Sequence, residues 1–156
     1  MLKKTTGIAL EATSILTFLG AALYTAFSWS SLPDVIPIHF NLVGEPDGWG
    51  SKSTLLLFPA LTAFIYLLHT AIARYPALSA KWYRSKEENA RHFAMAQSMI
   101  PWLKAEICSL FAFIQWTIIA TATGASTGLN SLVMGGFVLT IFGTIGVHLF
   151  KLYSKR

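Results

Sequence analysis

Charge is what this sequence has least of. Only 12% of its residues are Asp, Glu, Lys or Arg, while 54% are hydrophobic, which lies outside the usual range for a water-soluble domain. The few charges cluster in short intervals, and the runs between them carry almost none. The net charge of +5 could point to nucleic acid. However, the basic residues flank apolar runs and form no stripe on a polar surface, so no nucleic-acid partner is expected. Cysteine is nearly absent too. The one Cys108 sits inside an apolar run, which excludes an intrachain disulfide and leaves the redox compartment unreadable. Phosphate-loop and nucleophile-elbow patterns are missing, as is a convincing Ser/His/Asp set. Closely spaced histidine pairs are missing as well, so no catalytic residue, metal or cofactor is assigned. No internal repeat or low-complexity tract divides the chain, and one domain, 1–156, suffices.

What is present is a set of apolar runs of about twenty residues, each long enough to cross the roughly 30 Å hydrocarbon layer as a helix. The spans are expected near 7–29, 53–74, 101–123 and 131–150. Lys3 and Lys4 precede the first run, which is longer than a typical signal-peptide core and is read as a retained helix ending at an interfacial Trp29. Pro59 lies early in the second span, where a kink is tolerable. Ser85-Lys86-Glu87-Glu88 fits a capping box and predicts a short amphipathic helix, Lys86–Met99, at the headgroups before the third span. On the fourth span Gly136, Thr140 and Thr144 recur every four residues. Small residues so spaced let helices approach closely, and internal packing is the preferred reading over a homo-oligomer contact. The fold class expected is therefore all-α: an integral membrane four-helix bundle with the lipid bilayer as its first partner.

Basic residues set the orientation. The N-terminus, the Arg74–Lys104 interval and the C-terminus hold every Lys and Arg except Lys52, which places both termini in the cytoplasm. The long polar interval Leu32–Lys52 then faces outward, with Asp34, Glu45 and Asp47 against that one lysine. Pro33, Pro37 and Pro46 lock φ there, and Gly44, Gly48 and Gly50 permit positive φ, so the loop is ordered. Glu45-Pro46-Asp47-Gly48 reads as a type I turn. Ile36, Ile38 and Phe40 alternate with Pro37, His39 and Asn41, as in a half-buried extended segment whose apolar set faces the bundle. His39, Asn41, Asp47 and Lys52 form a candidate polar cluster for a ligand or cation. The alternative is that Asn41 and Asp47 satisfy loop backbone while His39 bonds a carbonyl.

The string L-P-D-x-I-P-x-H-F-N-x-x-G-x-P-D-G-W-G-S-K resembles the signature of a bacterial membrane domain of unknown function. That domain also occurs in the immunity protein against the secreted SDP killing-factor toxin. Asn89 with Arg91, and Leu103-Lys104 with Phe111, resemble the family more loosely. The resemblance implies a multi-pass protein of the bacterial plasma (inner) membrane, of a binding, immunity or signalling type. The family's best-understood member confers toxin resistance and holds a repressor at the membrane, but it has more spans than the four counted here. By motif match, Pro33, Asp34, Pro37, His39, Phe40, Asn41, Gly44, Asp47 and Lys52 carry over without assigned roles.

A second polar group lies near the inner ends of the spans: Glu11, His69, Lys104, Glu106 and His148. Ionisable residues in membrane spans are costly and usually point inward, although side chains this near the headgroups can also snorkel. Three functional classes follow. The first is a binding protein whose outward loop meets a peptide, a lipid or another membrane protein. The second is a small ion-coupled carrier that uses the inner ionisable layer, and the third a metal-dependent membrane enzyme using His39 or Asp47.

Overall fold

The computed structural model describes residues 4–75 and 85–154. Its elements are α1 (Lys4–Ser28), β1 (Val35–Phe40), β2 (Pro46–Ser51), a 3₁₀ turn (Lys52–Leu56), α2 (Leu57–Arg74), α3 (Lys86–Ala122) and α4 (Ser131–Tyr153). Among the described residues four helices are long and apolar enough to cross a membrane, the make-up of a multi-pass membrane protein. Each expected span falls on one of them, with bounds within a few residues except at the start of the third, where the helix begins at Lys86. Helices α1, α2 and α4 leave most of their apolar side chains exposed, including Leu16, Phe27, Leu67, Leu132 and Phe142. A soluble monomer rarely carries so continuous an apolar surface.

Helix α3 is the hub, and the other three helices pack mainly against it. It supplies Ile100, Leu103, Ala105, Cys108, Ile118, Ile119 and Ala120 to the buried interior. The expected separate helix Lys86–Met99 does not occur. Instead α3 runs unbroken for 37 residues with Pro101 inside it, a length of about 55 Å at 1.5 Å per residue. Proline forfeits one backbone bond, and nearby buried contacts such as Ile100 and Leu103 hold the helix through it. The capping residue is the one expected, since Ser85 Oγ accepts from Glu88 N at 3.0 Å. At the other end Gly124, at φ 77°, closes α3 in a Schellman arrangement, with Ala125 N donating to Ala120 O at 2.8 Å and Gly124 N to Thr121 O at 3.2 Å. Asn130 caps α4 by accepting from Leu132 N and Val133 N, both at 3.1 Å.

Two further expectations are revised. Pro59 falls in the first turn of α2, where its missing N–H would have had no helical partner, so it opens the helix and forces no kink. The row Gly136, Thr140, Thr144 and His148 does not lie on one packed face. Thr144 and His148 are half-buried, whereas Gly136 and Thr140 are exposed. Residues four apart advance 400° at about 100° each, so the row drifts by about 40° per step and its upper part leaves the interface.

The Leu32–Lys52 interval folds as an antiparallel β-hairpin, β1 against β2. Its turn is Asn41-Leu42-Val43-Gly44, closed by Gly44 N to Asn41 O at 2.9 Å. The expected turn at Glu45–Gly48 is instead largely strand β2. Asn41 outcompetes it because Asn41 Oδ1 accepts from Val43 N and Glu45 N, both at 3.0 Å, and Gly44 supplies the positive φ of 92°. The hairpin sits on the core formed by Leu32, Ile36, Leu55, Ile118 and Ile119, with Phe40 and Phe58 packed against it.

Candidate functional site

Strict alternation along β1 would send Ile36, Ile38 and Phe40 to one face. The observed register breaks at Pro37/His39 and again at His39/Phe40, so Ile38 has no partner of its own on β2. Ile36 and Pro37 are buried, Phe40 is half-buried, and Ile38 is 42% exposed. Such bulges re-aim side chains. Here His39 comes to lie opposite Gly48, where a Cβ would sit 2.8 Å from His39 Cβ, while Gly50 makes the same room for Ile38. The two glycines of β2 are therefore clearance for the side chains of β1.

With this register His39 Nδ1 lies 2.5 Å from Asp47 Oδ1. The two side chains are 71% and 44% exposed, and an ion pair so open to solvent contributes little to stability, about 0–1 kcal/mol. The carboxylate orients the imidazole and leaves Nε2 directed at whatever approaches. The remaining members of the candidate cluster are bonded to other groups. Asn41 is committed to the turn, and its Nδ2 reaches Glu45 Oε2 at 3.4 Å. Lys52 is at the far end of the hairpin, 3.1 Å from Asp34 Oδ1, with its Nζ 3.5 Å from Leu32 O and over the Trp29 ring at 5.6 Å. Lys52 N also donates to Asp34 O at 2.9 Å, so Asp34 and Lys52 tie the two ends of the loop together. Pro33 is exposed, and nothing in the structure explains it.

Gly44 is buried and docks the hairpin tip on the α3–α4 connection. Its carbonyl accepts from Leu129 N at 2.8 Å, and Ser131 Oγ donates to Leu42 O at 3.0 Å. A cleft of about 400 Å³ remains between hairpin, α2, α3 and α4, with Ile38, Phe40, Phe58, Ile114 and Met134 as apolar walls and His39 and Asn41 at its polar side. The site is thus an oriented His–Asp pair beside an apolar cleft. Among the described residues no nucleophile hydrogen-bonds His39, whose side-chain partner is Asp47, and no three metal-ligating side chains converge.

The layer near the other ends of the helices separates into two groups. Lys104 is 5% exposed and lies 2.6 Å from Glu11 Oε2. Its Nζ also donates to Thr70 Oγ1 at 3.2 Å and stands over the Tyr66 ring at 4.3 Å, while Tyr66 OH donates to the other oxygen of Glu11. Glu106 instead faces α4, where Thr144 Oγ1 donates to its Oε1 at 2.5 Å and its Oε2 is buried without a partner among the described residues. His69 and His148 each bond the carbonyl four residues back, Ile65 O at 3.0 Å and Thr144 O at 2.8 Å. Sequence reasoning did not find Tyr66 and Thr70, which stand one turn apart on α2 at the depth of Glu11. It also missed the buried bond from Thr25 Oγ1 to Gln115 Oε1, at 3.0 Å. A glutamine inside an otherwise apolar run was the available signal.

Comparison with known proteins bears on the hairpin. Residues 16–63 match a family described as "Domain of unknown function (DUF1648)". The match takes in the second half of α1, the whole hairpin and the start of α2. An uncharacterized protein of Archaeoglobus fulgidus is 37% identical over 79 residues, covering 46% of this chain and 43% of its own length. The chain thus spans less than half of that relative. No solved structure matches. Neither match carries a stated activity, and neither links the chain to the SDP immunity proteins.

Proposed function

We propose that this is a binding protein of the bacterial plasma membrane whose hairpin, facing outward, recognises an amphipathic peptide segment of a secreted peptide or of another membrane protein. The observation that carries this is the exposed His39–Asp47 pair beside an apolar cleft of about 400 Å³. Buried apolar surface would supply most of the affinity, and the oriented imidazole and carboxylate would fix register and select for donors on the peptide. Immunity or signalling would be one use of such a site. Its support is the likeness of the hairpin motif to that of the SDP immunity proteins. The basic residues near the chain termini favour a cytoplasmic location for both ends.

An ion-coupled carrier draws on the Lys104–Glu11 pair. It is the weaker reading, because the polar groups at that depth are largely bonded to one another or to their own helices. Toward His39 the buried polar groups among the described residues are the Thr25–Gln115 pair, Ser14 and Thr62, which bond carbonyls of their own helices, and the hydroxyls of Thr117 and Thr121, too few to line a path.

The test is photocrosslinking in native membranes from Leu42, which is 97% exposed at the hairpin tip, using a benzophenone side chain. One discrete adduct is expected. Asp47→Asn and His39→Ala should each cut its yield about fivefold or more, as loss of an anchoring contact worth ~1–2 kcal/mol would, with membrane insertion unchanged. An adduct of equal yield in both variants would remove the reading.

A further inference from the structure

Helix α3 outruns the hydrocarbon layer, and its first half therefore meets the last turns of α4 near the headgroups. Between them opens a second cleft, of about 410 Å³, lined by Arg91 and Ser98 of α3 and by His148 and Lys151 of α4, with Met95 and Leu152 as its apolar walls. Arg91 and Lys151 are exposed. Neither takes part in the ion pairs formed among the described residues, and none of the described residues lining the cleft is acidic. His148 uses Nδ1 on Thr144 O at 2.8 Å, which leaves Nε2 for a ligand. Ser98 Oγ is 2.8 Å from Met95 O and keeps lone pairs only, so it contributes shape more than charge.

We infer that this cleft binds the phosphate of an anionic phospholipid, with Arg91 and Lys151 clamping it from opposite helices and Met95 and Leu152 against the glycerol and first acyl carbons. Guanidinium matches phosphate oxygens in pairs and ammonium adds a point charge. Basic clefts between spanning helices at the headgroup level are suited to anionic lipids. A free phosphate would gain the same two cations but nothing from the apolar walls, which is why the lipid is the committed occupant. The inference does not depend on the hairpin's role.

The experiment is native mass spectrometry of the full chain in detergent micelles containing equal amounts of phosphatidylglycerol and phosphatidylcholine with identical acyl chains. Phosphatidylglycerol should be retained in preference. Arg91→Gln and Lys151→Gln should each lower that retention about fivefold, the ratio equivalent to ~1 kcal/mol per basic residue near an anionic lipid. Arg91→Lys should keep most of it. Lys86→Gln, on the same helix but outside the cleft, should keep all of it. Both altered side chains are exposed, so the variants should elute as the parent does. Equal retention of the two lipids, or unchanged retention in the Gln variants, would overturn the inference. So would an equal loss with Lys86→Gln, the mark of diffuse attraction, or full displacement by millimolar inorganic phosphate, the mark of a free-anion site.

Discussion

Gly44 concentrates more constraint than any other single position of the hairpin. Its φ of 92° is one that side-chain-bearing residues rarely adopt, and a Cβ there would overlap the carbonyl oxygen of Leu129. Gly128 faces it in the reciprocal position, where a Cβ would overlap the Gly44 carbonyl. The two backbones therefore touch where β-hairpin and α3–α4 connection meet. Gly44→Ala should cost about 1–3 kcal/mol, from backbone strain and loss of the Leu129 N–Gly44 O bond together. A lowered melting temperature in detergent, with faster amide exchange at Gly44 and Leu129, would show it; an unchanged melting temperature would mean the tip is not docked. At this scale the sequence was informative about identity and less so about partners. The P-x-H-F-N-x-x-G string marks an ordered loop. However, Asn41 accepts from two backbone donors while Lys52 pairs with Asp34, and the bulge that leaves Ile38 unpaired and sets His39 opposite Gly48 breaks the alternation from which a four-residue cluster was read.

Helix α4 shows how an element-level reading from spacing alone goes astray. Steps of four suggest one continuous stripe, yet the drift of the row brings only Thr144 and His148 to α3. The consequence is a contrast between two chemically equal changes. Among the described residues Thr144→Val removes the one hydrogen-bond donor to Glu106 Oε1, next to an Oε2 that has none, and should cost about 1–3 kcal/mol. Thr140→Val removes a hydroxyl that bonds only Gly136 O of its own helix, at 2.8 Å, and should stay within about 0.5 kcal/mol. Melting temperatures of the two variants in one detergent decide it. Equal losses would place the whole stripe inside the bundle after all. The fusion of the amphipathic segment with the third span belongs to the same scale. Proline and a change in polarity both argued for a break near 100, and packing of Ile100 and Leu103 into the interior overrode a penalty of one lost backbone bond. The start at Ser85 was easier to read, because that serine caps by a local rule that tertiary contacts do not alter.

At the scale of the molecule, one helix that holds most of the buried residues, packed against three that bury few of their own, is the pattern expected where lipid covers the outer surface. The number of spanning helices and most of their limits were readable because the hydrocarbon layer imposes a minimum length on each of them; the start of α3 is not fixed this way, because its first turns extend beyond that layer. Their arrangement around α3 was not, since all four runs are similarly apolar and only side-chain fit selects the hub. Orientation rests on charge. Lys4, Arg74, Lys86, Arg91 and Lys151 lie at one end, whereas the hairpin end sets Lys52 against Asp34, Glu45 and Asp47. The insertion machinery retains basic segments on the cytoplasmic side, so the hairpin should be reachable from outside an intact cell and the start of α3 should not. Cys108 is 3% exposed, and Cys108→Ser gives a background without a reactive thiol. In that background Leu42→Cys should react with a membrane-impermeant maleimide on whole cells. Lys86→Cys should react only after the membrane is opened. The opposite pattern would turn the hairpin inward and take its proposed extracellular ligand with it, and labelling of both positions on whole cells would mean that no bilayer separates the two ends.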